Sequence, residues 1–400
     1  MSYHKHVIDS RQFTLGFLDR LFARTDEFIK ADLAKDYSFF PTLRKYRLEQ
    51  FYWQPSTRTA SSFGAAARKI GMANEYYQNA GEFSSFAKGE SLEHGIQAVD
   101  SNHEILVIRH HESGVPYLAS LISSKPVINA GDGDNQHPTQ ALLDTYNIYD
   151  YFDNINNLKI VIVGECDGRV SRSLTYLLAK HGRGNEFFFV APDEFRPNEE
   201  FLVYLQRKKI KYSTVDDIDE VIQTGNVFYA TRLRKERLEY AREKDIGRKM
   251  TKEEKEQVTK EYIKLREKNH PKLVINGKRA CNMKNDAVIM HPLPIDRMYS
   301  NGFEEITEDV DANSRQTYLK TSNEGWAIRA ALLEALATNN EIAQALDNPN
   351  YEKIWKDIYK GDPAYSPEGL RKKTEWRERE KNLKKKRIED RENKRRRSMI

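Results

Sequence analysis

Apolar residues recur along this chain in an alternating rhythm of helix and strand. Over residues 10–48 the spacing is helical, with Phe13, Phe17, Leu18 and Leu21 on one side and a break at Asp36-Tyr37-Ser38. Residues 49–53 read as a strand entering the polar turn Gln54-Pro55-Ser56-Thr57-Arg58-Thr59. Phe63, Ala66, Ala67 and Ile70 then follow at helical spacing up to Gly71, where a helix commonly stops. A short strand over 75–77, a polar loop over 82–89 and a helix over 91–99 come next, followed by strands at 105–108 and 127–130 around a helix at 115–122. His137-Pro138-Thr139-Gln140 opens a long helix with Leu142, Leu143, Tyr146 and Tyr149 on its apolar side, ending near 153–157.

The rhythm restarts with Lys159-Ile160-Val161-Ile162-Val163, a short apolar run of the kind buried on both faces in a parallel sheet. Helices at 170–180 and 199–207 alternate with strands at 187–190, 211–215, 227–231 and 286–290, the last ending in His291-Pro292-Leu293-Pro294. This predicts an α/β fold of two doubly wound parallel-sheet domains with a ligand cleft between them. The expected organisation is residues 1–153 and 154–322 as the two domains, a charged surface insertion at about 237–271, a helix within 323–348 returning to the first domain, and a charged basic tail over 349–400.

Composition narrows the class. A length of 400 residues exceeds the usual single core, and 31% charged residues with no apolar run of membrane-spanning length point to a soluble protein. The polar stretch 1–9 has no apolar core of a signal peptide, so a cytoplasmic location is expected. Cys166 and Cys281 are the only cysteines, which excludes a disulfide framework and a cysteine-built zinc site; His110-His111 and His291 lack ligand spacing, and no metal is expected. The net charge of +5 is misleading, because residues 371–400 carry an excess of about nine positive charges and leave the body near −4. The tail reads either as a solvated charged helix, with Glu375/Arg379 and Glu380/Lys384 at i,i+4 spacing, or as a segment for nucleic acid or an acidic membrane.

Candidate chemistry clusters after the strands. Ser56, Thr57 and Thr59 offer hydroxyls at a helix start, where backbone N–H groups lack internal partners, and Arg58 adds a fork of donors: an anion site without a glycine-rich loop, or else an ordinary capped helix. Arg58, Arg109, His137, Gln140, Arg169, Arg232 and His291 all follow predicted strand ends, where ligands bind in open α/β sheets. With Lys88, the arginines suit a phosphate together with carboxylates. Gly164-Glu165-Cys166-Asp167-Gly168 lacks dinucleotide-loop spacing, and no serine or cysteine sits in a nucleophile elbow.

Ser56-Thr57-Arg58-Thr59, Lys88-Gly89-Glu90-Ser91, Val107-Ile108-Arg109-His110, His137-Pro138-Thr139-Gln140 with Leu142-Leu143-Asp144, and His291-Pro292-Leu293-Pro294 together resemble the signatures of the aspartate carbamoyltransferases, in order and at compatible spacing. The resemblance implies transfer of a carbamoyl group from carbamoyl phosphate to L-aspartate, the committed step of pyrimidine synthesis, with no metal or organic cofactor. It implies that Ser56, Thr57, Arg58, Thr59, Arg109, His137 and Gln140 hold carbamoyl phosphate, and that Ser84 and Lys88 reach in from a neighbouring subunit of a homotrimer with shared sites. Arg169, Arg232, Arg234, Leu293 and Pro294 match acceptor-contacting positions. Arg58, Thr59 and His137 would serve the carbonyl oxygen, Arg58 and Lys88 the departing phosphate, and phosphate itself would accept the amine proton. A regulatory partner chain is left open.

Three positions depart from the pattern: Arg234 stands where the family has glutamine, Ile295 where it has arginine after the His291-Pro292-Leu293-Pro294 motif, and Gln54 where it has a glutamate that pairs with domain-closing arginines. Arg234 fits either a stronger grip on a carboxylate or a different amine acceptor; the absence of cysteine from the His291 motif argues against ornithine. The remaining alternative is a non-catalytic relative whose basic tail binds nucleic acid.

Overall fold

Short strands with apolar side chains on both faces build two all-parallel sheets in this chain, whose computed structural model describes residues 5–80, 89–297, 302–361, 365–368 and 389. The first sheet has the order β2-β1-β3-β4, from β1 Arg47–Tyr52, β2 Ala73–Gln78, β3 Ile105–His110 and β4 Val127–Asp132. Along β3, Ile105 and Val107 enter one core with Leu48, Phe63 and Ile128, whereas Leu106 and Ile108 enter another with Phe51, Ile96 and Tyr117. Alternation sends successive side chains to opposite faces, and helices α1 Leu15–Leu33, α2 Thr57–Lys69, α3 Leu92–Val99, α4 Val115–Ile122 and α5 Pro138–Phe152 cover both.

The second sheet has the order β7-β6-β5-β8-β9, from β5 Lys159–Val163, β6 Glu186–Val190, β7 Lys211–Val215, β8 Val227–Ala230 and β9 Val288–Met290. Helices α6 Arg169–His181 and α7 Glu199–Arg207 connect its first strands. Strand order reverses between β1 and β3 in one sheet and between β5 and β8 in the other, so each sheet opens a crevice at those strand ends. At the second crevice the chains approach closely: Gly164 has φ +95°, and a Cβ there would come within 2.1 Å of the Thr231 carbonyl oxygen.

The two sheets are joined by packed helices and by the returning chain. Helices α5 and α6 lie against each other, and Tyr229 of β8 donates its hydroxyl to Asp144 of α5 at 2.7 Å. After α8 Lys235–Ile246, α9 Lys252–Leu273 and α10 Gly277–Asn282, helix α11 Tyr318–Thr338 runs back to the first sheet, where Ala327, Ala330, Ala331 and Leu332 pack with Phe17, Leu21, Phe63 and Ala67. Small residues along α2 and α11 let these helices approach closely. Arg24 of α1 grips Glu334 of α11 at 2.7 Å from Nε. Among the described residues no helix is long and apolar enough to cross a membrane.

Three expectations change in detail. The N-terminal helix ends at Leu33, and a short 3-10 turn, Tyr37–Phe39, leads into extended chain before β1. The charged insertion is a helical hairpin with a capping box at Thr251 and Glu254, and it is not confined to the surface: Val258 and Leu273 are buried, and Tyr262 donates its hydroxyl to the Leu233 carbonyl at 2.5 Å. The tail does not begin as solvated charge at 349. After α12 Glu341–Gln344, helix α13 Tyr351–Tyr359 places Tyr351, Ile354, Trp355, Ile358 and Tyr359 on one face against the core containing Tyr117 and Val115. That i, i+3, i+4, i+7, i+8 spacing buries an apolar stripe although the segment is rich in charge. The strongly basic part of the tail, 371–388 and 390–400, lies outside the described residues.

Candidate active site

The first wall of the site forms where β1 and β3 end. Tyr52 and Arg109 are register partners, so the turn after β1 and the Arg109 side chain emerge together. Ser56 is the N-cap of α2 yet caps nothing with its side chain; its hydroxyl donates to Thr59 Oγ1 at 2.9 Å. The first-turn amides of α2 are thereby left facing the cavity beside Arg58, which makes no hydrogen bond or ion pair among the described residues. Arg109 donates from Nη1 to the Ala130 carbonyl at 3.3 Å, and its Nε has no partner among the described residues. Gly131, at φ +114°, marks where the walls meet: a Cβ there would lie 3.3 Å from Arg169 Nε, 3.3 Å from His137 Cδ2 and 3.4 Å from Arg109 Nη1.

His137 starts α5 with its backbone N–H donating to Ser173 Oγ at 2.8 Å, across the joint between the sheets. One turn on, Gln140 donates from Nε2 to Asp144 Oδ1 at 2.9 Å, so its carbonyl oxygen is left as a fixed acceptor toward the cavity. On the opposite wall, Arg169 donates from Nη1 to the Gln54 side-chain oxygen and to the Gly133 carbonyl, both at 2.9 Å. Arg232 is about one-third exposed, and its carboxylate partner among the described residues is Glu236, at 3.9 Å. Leu293 and Pro294 complete this wall; the peptide between them is cis, and the Leu293 N–H donates to His291 Nδ1 at 2.8 Å.

Gln54, Ser56, Thr57, Arg58, Thr59, Arg109, His137, Gln140, Arg169, Arg232, Arg234, Leu293 and Pro294 all line one cavity of about 790 Å³ between the sheets. Ser84 and Lys88, also expected at the site, lie outside the described residues. Arg234 is engaged within the chain itself. Its Nε and Nη2 bind both oxygens of Glu165 at 2.6 Å, and Nη2 also reaches Asp134 Oδ1 at 2.6 Å, so in this structure its charge is met by two carboxylates rather than left for an acceptor.

The electrostatics describe an unsatisfied anion site. Burial lowers the pKa of Arg58; burial together with Arg234 and Arg58 brings Arg109 down to about 10, and burial with Arg109 and Arg234 holds Arg169 well below the ordinary guanidinium range. Guanidinium groups stay charged at neutral pH, so these shifts express first the cost of burying charge and, for Arg109 and Arg169, repulsion among the arginines, both of which a bound anion would relieve. Burial, together with Arg109, Arg169 and Arg329, holds His137 well below the ordinary imidazole range, which keeps it neutral at pH 7. A neutral imidazole can still donate one N–H to a carbonyl oxygen.

Several participants were invisible to sequence reasoning. Arg329 of α11 is buried, lines the cavity, and donates from Nη1 to Ser62 Oγ at 2.8 Å and to the Gly325 carbonyl at 3.0 Å, with its guanidinium 5.2 Å from the Phe63 ring centroid. No carboxylate faces it within ion-pair distance among the described residues, and burial brings its pKa down to about 10. Asp144 lies behind Gln140, where burial raises its pKa to about 7 despite the donors from Tyr229 and Gln140. The spacing Gln140/Asp144 was a usable signal for the second contact; nothing local pointed to Arg329.

Comparison with known proteins places these features in a wider set. The carbamoyl-P binding domain model of aspartate/ornithine carbamoyltransferase matches residues 5–150, and the Asp/Orn binding domain model of the same family matches 156–336. The chain is 36% identical over 331 residues to aspartate carbamoyltransferase 2, chloroplastic, of Pisum sativum, covering 82% of this chain and 78% of that protein. It is 36% identical over 334 residues to the chloroplastic aspartate carbamoyltransferase of Oryza sativa subsp. japonica, covering 82% and 84% respectively. Among solved structures, the catalytic subunit of M. jannaschii aspartate transcarbamoylase superposes with a TM-score of 0.70 at 31% identity, over 84% of this chain and 99% of that one. Trypanosoma cruzi aspartate transcarbamoylase in complex with carbamoyl phosphate and aspartate gives 0.70 at 28% identity, over 82% and 96%.

Proposed function

The chain belongs to the aspartate/ornithine carbamoyltransferase family, and from that premise we propose that it transfers the carbamoyl group of carbamoyl phosphate to L-aspartate, giving N-carbamoyl-L-aspartate and phosphate. The observation that carries this reading is the cluster of Arg58, Arg109 and Arg169 around one cavity without carboxylate partners among the described residues. Such a cluster is costly unless an anionic ligand occupies it.

In the proposed arrangement the phosphate sits on the first-turn amides of α2, the Ser56, Thr57 and Thr59 hydroxyls, Arg58 and Arg109. The carbamoyl oxygen accepts from Thr59, Arg58 and the neutral His137, and the carbamoyl –NH₂ donates to the Gln140 oxygen. The aspartate amine attacks the carbamoyl carbon, the carbon–oxygen bond to phosphate breaks, and phosphate takes the proton the amine releases. Donors fixed where the oxyanion develops are typically worth 10²–10³ in rate, and alignment of the two substrates supplies much of the remainder. Arg169 and Arg232, whose nearest partners are an amide, a carbonyl and a distant half-solvated carboxylate, suit the two carboxylates of the acceptor. Leu293 and Pro294 orient it.

The product is a precursor for pyrimidine synthesis, and a homotrimer in which Ser84 and Lys88 of a neighbouring subunit complete each site belongs to the same proposal, as does action in the cytoplasm. Incubating the protein with carbamoyl phosphate and a panel of amino acids tests the reading: phosphate release with carbamoyl-aspartate is expected. Turnover with another amine alone overturns the acceptor, and turnover with none overturns the enzyme.

A further inference from the structure

We propose that Arg234 and Asp134 form a cross-cleft tether that positions the acceptor loop, so that Arg234 acts through the placement of Arg232 and not by touching the acceptor. This rests on the carbamoyltransferase reading only for its kinetic readout.

Arg234 follows β8 and is held to its own sheet by Glu165, which follows β5. Two 2.6 Å bonds from Nε and Nη2 engage both carboxylate oxygens, and a bidentate fork of this kind fixes the guanidinium plane. The same corner is riveted further: the Glu165 N–H donates to Thr231 Oγ1 at 2.8 Å, and Arg237 donates to Asp167 at 2.7 Å. Arg234 is therefore a rigid arm of the second sheet. From that arm Nη2 crosses to Asp134, in the loop between β4 and α5 of the first sheet. The neighbouring cross-cleft contact, Arg169 to Gln54, ends on a neutral amide. Among the described residues, Asp134–Arg234 is thus the charged pair that joins the two strand-end corners.

The alternative role, direct capture of an acceptor carboxylate, would fall to Nη1, the nitrogen of Arg234 without a partner among the described residues, on a guanidinium whose charge two carboxylates at 2.6 Å already meet. Arg232, two residues earlier, has no such commitment, its nearest carboxylate lying 3.9 Å away and largely solvated. A tether at Arg234 holds the β8–α8 loop against the first sheet and so sets where Arg232 points. Asp134 is about one-third exposed at the side chain, so this contact can open and close while the buried contacts at the joint, Ser173–Gln136 and Tyr229–Asp144, stay made.

The test uses the full chain with Asp134→Asn, Arg234→Gln and the double variant. At saturating carbamoyl phosphate, Asp134→Asn is expected to raise KM for aspartate about twofold to fivefold with kcat changed less than twofold, a modest effect of the size a partly exposed charged pair supports. The double variant is expected to be no worse than Arg234→Gln, because both changes remove one contact. If Arg234 bound the acceptor directly, freeing it from Asp134 would leave KM unchanged or lower it, and that result overturns the proposal. Amide hydrogen exchange of the unliganded proteins gives a readout independent of turnover: faster exchange in both 133–137 and 231–237 on Asp134→Asn supports the tether, and unchanged rates in either segment overturn it. Should the unmutated protein fail to turn over aspartate, the proposed function fails while the exchange result still decides the tether.

Discussion

Asp144 makes the sharpest test of how the interior supports the site. It is a fully buried carboxyl group that receives hydrogen bonds from Tyr229 at 2.7 Å and from Gln140 at 2.9 Å, and its pKa is pushed up to about 7 by burial, against an ordinary 3.8. A shift of about three units corresponds to about 4 kcal/mol. The sign follows from linkage: between those pKa values the folded protein keeps a proton that the unfolded chain has lost, so this contribution to stability is complete below pH 3.8 and is lost as pH rises through 7. Of the total, about 2.5 kcal/mol is lost between pH 5 and pH 8. At roughly 2–4 °C per kcal/mol for a folding unit of 150–250 residues, Tm declines by about 5–10 °C over that interval from this group alone. Asp144→Asn substitutes a neutral side chain of the same shape and abolishes that slope. The asparagine offers one acceptor oxygen to two donors, so Gln140 or Tyr229 loses its partner, and kcat/KM is expected to fall about tenfold, or about 1.4 kcal/mol, as the Gln140 amide is no longer held with its oxygen toward the carbamoyl nitrogen. Thermal unfolding of both proteins at several pH values, alongside steady-state kinetics at pH 8, reads both effects. Asp132, raised by burial to about 6, adds a slope of the same sign to both proteins and cancels in the difference. Parallel Tm profiles for the two proteins between pH 5 and 8 would refute the reasoning.

Arg58→Ala is expected to lower kcat by about 10³ while KM for aspartate changes less than threefold, because the donor acts where charge develops on the carbamoyl oxygen and phosphate; equal losses in both parameters would contradict that role. Ending the chain after Pro349 removes α13, whose buried Ile354 and half-buried Tyr351, Trp355, Ile358 and Tyr359 represent about 3–6 kcal/mol of apolar burial before the cost of ordering the helix. A fall in Tm of at least about 5 °C is expected by scanning calorimetry, and an unchanged Tm would contradict the packing of α13 on the first sheet. Tyr262→Phe removes the hydroxyl that donates to the Leu233 carbonyl and should raise KM for aspartate about twofold to threefold with affinity for carbamoyl phosphate unchanged, as measured by equilibrium dialysis.

Much of the site was legible because ligand-binding residues in parallel α/β sheets follow strand ends, and strands announce themselves as short apolar runs. Ser56 to Thr59, Arg109, His137, Gln140, Arg169 and Arg232 were each located relative to a strand or helix start from local pattern, and all of them line the one cavity. Helix α13 is hard to see in the sequence although its stripe is present, because high charge density masks an apolar face held by Tyr351, Trp355 and Tyr359. Arg234 stands in the corner its place after β8 implies, and its contacts to Glu165 and Asp134 are ones that no local pattern indicates.

The amino-acid sequence determined the elements, the two-sheet rhythm, and which side chains stand at strand ends, since those depend on interactions within about ten residues. The tertiary structure decided who pairs with whom. Arg234 meets Glu165 across 69 residues and Asp134 across 100, Tyr229 meets Asp144 across 85, and Arg329 meets Ser62 across 267. Those partners are set by strand order and by the return of α11 onto α2, and a local pattern carries no information about either, because a side chain's charge state and donors are settled by whatever the fold brings within 3 Å of it.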